Sequence, residues 1–135
     1  MLNLGGNCSW SAAFVSSCAK QANVLDVVVP RTNKCQDVAD KGVERGYGAW
    51  IDGPCKGFDV TPQPGDVVLM SWSSNPSNRA DCVGIVRSVE GAVVNVVRGD
   101  CGSYGSNSSK VRIVSYDKSL SCIQGYFRPD WSKVV

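Results

Sequence analysis

Cys8-Ser9-Trp10-Ser11-Ala12-Ala13-Phe14-Val15-Ser16-Ser17-Cys18-Ala19-Lys20-Gln21-Ala22 is the stretch that decides the fold. Ala12, Val15 and Ala19, with Phe14, Cys18 and Ala22 beside them, recur at three- and four-residue spacing, the period of one buried helical face. Asn7, Ser9 and Ser11 stand where an N-cap is expected, so the helix is predicted to begin within a residue or two of Ser11. A side chain there sits at the positive end of the helix dipole, beside backbone N–H groups that have no helical partner. Those conditions lower a thiol's pKa and stabilise an oxyanion. The position suits a nucleophile, and this chain places a serine in it.

Outward from that helix the chain reads as one domain over 1–135, long enough for a core but not for two. Val27-Val28-Val29-Pro30 reads as a short extended piece stopped by proline. A second helix is predicted over Lys34 to Glu44, capped by Thr32 or Asn33. Its inward face is Cys35, Val38, Ala39, Gly42 and Val43, although a glycine inside a helix counts against it. Gly46 to Gly57 reads as an aromatic-anchored loop. From Pro64 the pattern turns to strands: Val67 to Trp72, apolar on both faces and so central, then Cys82 to Val89 and Ala92 to Arg98 as a hairpin around Glu90-Gly91. Val111 to Tyr116 and Cys122 to Phe127 follow, with polar loops at Ser73 to Arg79 and Gly102 to Ser109. Two helices followed by about five antiparallel strands make an α+β layer arrangement.

Composition narrows the function. A net charge of +2 with scattered basic residues gives no footprint for nucleic acid or an anionic membrane. No apolar run is long enough to cross a bilayer, and Met1-Leu2-Asn3 does not open like a signal peptide. Seven cysteines are many for this length, and an odd count leaves at least one outside any intrachain pairing. None is spaced C-x-x-C, so no zinc ribbon is expected, and no cofactor is implied. Cys18 reads as a small buried hydrophobe, and Cys35 and Cys55 flank the irregular region as a candidate local staple. The chain contains no histidine, which removes Ser-His and Cys-His pairs by counting alone. A serine hydroxyl without a base is a weak nucleophile, and a carboxylate such as Asp81 or Asp100 matches it poorly.

Three stretches together carry a resemblance: Trp10 to Ala22, Asp81-Cys82-Val83-Gly84-Ile85-Val86, and Val96-Val97-Arg98-Gly99-Asp100. They are similar to the CHAP family, cysteine- and histidine-dependent amidohydrolase/peptidase domains of papain-like, NlpC-related fold that cut peptidoglycan. Pro62-Gln63-Pro64-Gly65-Asp66-Val67-Val68 and Gly125-Tyr126-Phe127-Arg128-Pro129 extend the likeness over nearly the whole chain. The family's Cys, His and acid positions read Ser11, Cys82 and Arg98 here.

The resemblance therefore implies a papain-like scaffold with a degenerate catalytic set. Its groove would be rimmed by Trp10, Trp50 and Trp72, with Asp81 and Asp100 nearby. On that scaffold Cys82 reads as a buried small hydrophobe or as half of a disulfide with Cys8 across the former active site. Cys8, Cys82 and Cys101 lack an evident fourth member, so no metal is expected. The expected partner is peptidoglycan, its cell-wall peptide, or a protein, in an extracellular or virion-associated setting such as a phage tail. Two other readings stand beside this one. In one, Ser11 is an engineered Cys→Ser change in an active amidase or endopeptidase; in the other, the chain is a disulfide-stapled structural module.

Overall fold

The computed structural model describes residues 10–71, 80–99 and 111–134. It is an α+β structure with two helices, α1 (Ser11–Gln21) and α2 (Cys35–Glu44). Six strands follow: β1 (Gly48–Asp52), β2 (Val67–Met70), β3 (Cys82–Glu90), β4 (Val93–Arg98), β5 (Arg112–Asp117) and β6 (Ile123–Pro129). Short 3-10 turns lie at Pro54–Lys56 and Trp131–Lys133. The strands form one antiparallel sheet in the order β1-β6-β2-β3-β4-β5.

Six strands, not five, is a correction to the sequence reading. The added strand is β1, inside the segment read as a loop, where Gly48 to Asp52 pairs with Pro129 to Gly125. Five residues flanked by glycines carry too short an alternation to announce a strand, and only β6 supplies the partner.

β2 lies centrally between β6 and β3, as its apolar run predicts, and is buried on both faces. Val67 and Leu69 join the cluster under the helices with Ala12, Val15, Ala19, Val28, Val38, Ala39, Val83 and Phe127. Val68 and Met70 join the opposite cluster with Cys82, Val86, Val94, Val96, Tyr116, Ile123 and Tyr126. Ile51, Val60 and Leu120 pack around that second cluster, so the face away from the helices is also dry.

Ala12, Val15 and Ala19 are buried as the helical period requires, and Ser11 is buried with them. α1 begins at Ser11, but Trp10 is the N-cap and no side chain caps it. α2 begins at Cys35, with Lys34 rather than Thr32 or Asn33 as N-cap. Thr32 still acts one turn early, its Oγ1 accepting from Lys34 N at 3.0 Å. Val38, Ala39 and Gly42 face inward, whereas Val43, expected inward, is 45% exposed. Gly42 has a packing reason: a Cβ there would lie 2.6 Å from Phe127 Cζ, so glycine lets α2 settle onto β6. The Val27 to Val29 piece is a turn, not a strand: Asp26 N donates to Val29 O at 2.7 Å, and Asp26 takes a φ of +58°.

A half-buried ion pair fixes the entry to β2. Asp66, 1% exposed, accepts from Arg128 Nε at 2.9 Å, Arg128 Nη2 at 2.8 Å and Gln63 N at 2.9 Å. This bidentate pairing ties the turn before β2 to the end of β6 and holds the guanidinium's pKa above its ordinary value.

Candidate functional site

The N-terminus of α1 meets the start of β3 on the helix side of the sheet. Phe14 N donates to Trp10 O at 3.0 Å, closing the first turn and setting Ser11 as its first residue. Ser11 has no exposed surface, and its hydroxyl accepts a hydrogen bond from Val83 N at 3.2 Å. On its other side Ser11 Oγ lies 3.3 Å from Cys35 Sγ, at the first residue of α2. α2 is held in that position by Gln36, whose Oε1 accepts from Ala80 N at 2.7 Å just ahead of β3. Three elements therefore converge on the Ser11 hydroxyl.

Cys35 is the residue at this site that the sequence reading did not place there. It was expected to staple to Cys55, and the two are not bridged to each other. Cys55 lies instead in the 3-10 turn after β1. The signal was present in its position as the opening residue of the second helix, but nothing along the chain shows that two helix starts face each other.

The other two positions that the resemblance marks lie on the opposite face of the sheet. Val83, whose amide Ser11 engages, follows Cys82 directly, so Ser11 and Cys82 meet the same end of β3. The Cys82 side chain, however, is wholly buried in the cluster on the face away from the helices. Arg98 is on that face as well. It is 8% exposed and donates from Nη1 to the Tyr116 hydroxyl at 2.6 Å. Gly84, two residues on from Cys82, makes room for it: a Cβ at Gly84 would meet Arg98 Cγ at 2.9 Å and Val96 Cγ1 at 2.4 Å. Strand alternation separates these groups, since Val83 turns toward α1 and Cys82 away from it. An arginine held by a tyrosine is a fixed cation, not an orienting acid.

Trp10 is half-buried at the helix start, edge-on to Phe14 with ring centroids 6.3 Å apart, and both rings close over Gly99. Trp50 lies on β1, three strands from β3. Its ring covers Gly125, and its indole N–H donates to Asp52 Oδ1 at 2.7 Å, which holds that carboxyl below its usual range. Asp81 is exposed at the start of β3, with its amide donating to Met70 O. Trp72, Asp100, Cys8 and Cys101 lie outside the described residues, and with them the Cys8–Cys82 bridge. Among the described residues no two cysteines are bridged, and no cluster of three or more Cys, Asp or Glu is arranged to hold a metal ion. No helix of the described residues is long and apolar enough to cross a membrane.

Chemically, the site presents a hydroxyl that is already satisfied and closed off from solvent. Activating it would need a base and an opening, and the chain has no histidine to supply the first. The chain matches no protein-family model, no curated protein and no solved structure.

Proposed function

We propose that this is a CHAP-like domain that binds cell-wall peptide in a groove beside the α1 N-terminus without cutting it. The observation that carries this reading is Ser11, which stands where the family keeps its nucleophile but is fully buried and bonded to Val83 N. A group meant to attack a carbonyl must reach it, and this one is committed to joining a helix to a strand. The half-buried aromatic pair Trp10 and Phe14 gives the α1 N-terminus an apolar surface, which supports this reading. Such a binder would serve outside the cell, or on a virion that docks to a cell wall.

The test is turbidity loss and muropeptide release from purified cell walls, with co-sedimentation on the same walls. It is run on this protein and on a Ser11→Cys, Cys82→His, Arg98→Glu variant. The assay contains reductant, because a sulfur at position 11 would come within bonding reach of Cys35. Co-sedimentation without release is the expected result for this protein. Release by the unaltered protein would overturn the reading, and so would failure to co-sediment.

A further inference from the structure

Two cysteines outside the site flank the place where β1 ends and β6 begins. The β1–β6 register pairs Asp52 with Gly125, and Gly53 N continues the ladder by donating to Gln124 O at 2.9 Å. Counted on, that register sets Cys55 opposite Cys122. Pro54 has no N–H to give, so the chain leaves the ladder there as the Pro54–Lys56 turn, which carries Cys55 over the start of β6. Cys122 is held in place from the other side, its carbonyl accepting from Ser71 N at 2.9 Å at the end of β2. Both cysteines are half-buried.

We propose that Cys55 and Cys122 are a redox pair that closes to a disulfide, clamping the edge strand β1 to the start of β6. The oxidant is a low-molecular-weight disulfide. The Cys55 thiolate attacks one of its sulfurs and expels one thiol. The Cys122 thiolate then attacks the Cys55 sulfur of the mixed disulfide and expels the second. Two protein thiols lose two protons and two electrons, and one small disulfide becomes two small thiols. Burial pushes the Cys122 thiol up, Asp81 and Cys55 push the same way, and its own backbone amide and Arg98 oppose them. Ring closure therefore quickens as pH rises. Cys18 is half-buried on α1 and is not part of this pair.

The test starts from fully reduced protein treated with oxidised glutathione, alkylated, and digested with trypsin without reduction. The expected product joins the peptide Gly46–Lys56 to the peptide Ser119–Lys133. Its formation raises the thermal midpoint by roughly 5–10 °C over the reduced form, since the bridge closes a long loop. Cys18→Ser keeps both effects, and Cys55→Ser or Cys122→Ser loses both. The map on unaltered protein decides the matter even where a variant misfolds. Both cysteines remaining alkylatable after overnight oxidation, or Cys55 joined to any other cysteine, would overturn the proposal.

Discussion

Ser11→Ala separates a structural serine from a vestigial nucleophile. In the folded protein the hydroxyl accepts from Val83 N at 3.2 Å and is fully buried, so alanine leaves that amide without this acceptor where water does not reach. A buried donor deprived of its acceptor costs about 1–3 kcal/mol. Alanine returns about 0.5 kcal/mol through its better helix propensity, less at a first-turn position. The net expectation is a loss of about 1–2 kcal/mol. In urea, with a slope of about 2 kcal/mol/M, the midpoint falls by roughly 0.5–1 M. Tryptophan fluorescence reads the transition, and the slope is expected to stay unchanged. A midpoint equal to or above the parent's would refute the reasoning. It would mean that Val83 N finds another acceptor at no cost, and that serine is kept at position 11 for something other than stability. Residues retained for chemistry often show that pattern, because their removal relieves the fold.

Three further outcomes follow from the packing. Asp66→Asn breaks the bidentate pairing with Arg128 and is expected to cost about 2–4 kcal/mol by chemical denaturation; because the arginine side chain is 31% exposed, the loss stays below that of a fully buried pair. A change under about 0.5 kcal/mol would show that the ion pair contributes little. Gly42→Ala is expected to destabilise by about 1–2 kcal/mol despite alanine's helix preference, because its Cβ meets the Phe127 ring at 2.6 Å; stabilisation would show that α2 shifts away from β6 freely. Tyr126 is fully buried and its hydroxyl has no hydrogen-bond partner among the described residues; burial, with Asp66 adding to it, pushes its pKa up to about 12. The folded state therefore holds a proton that the unfolded state releases near pH 10. This contribution is whole below pH 10 and is lost as pH rises toward 12, on the order of 2–3 kcal/mol. Stability curves of the parent and Tyr126→Phe, measured from pH 8 to 12, are expected to diverge only above pH 10, with phenylalanine the more stable there. Parallel curves would count against this burial effect.

Much of the fold is legible along the chain because its signals are local. The three- and four-residue spacing of Ala12, Val15 and Ala19 gives α1 and its buried side. The unbroken apolar run from Val67 gives a central strand, and Glu90-Gly91 between two valine-rich segments gives the β3–β4 hairpin. β1 escaped because a five-residue edge strand exists through β6, some 75 positions away in sequence. Gly42 is a flaw by helix propensity alone, and its reason is Phe127, which lies beneath it from a strand far along the chain.

The sequence by itself determined which chemistry is missing. Without a histidine, and with serine, cysteine and arginine at the three positions the resemblance marks, no Ser-His or Cys-His pair can be assembled, however the chain folds. Only the tertiary structure decided what those residues do instead. Ser11 bonds to the Val83 amide, Cys35 comes to its side from the second helix, and strand alternation sends Cys82 and Arg98 to the opposite face. Side-chain type is a local property and can be counted. Which face a side chain takes, and which distant group reaches it, depends on register and helix docking, which exist only once the sheet has formed.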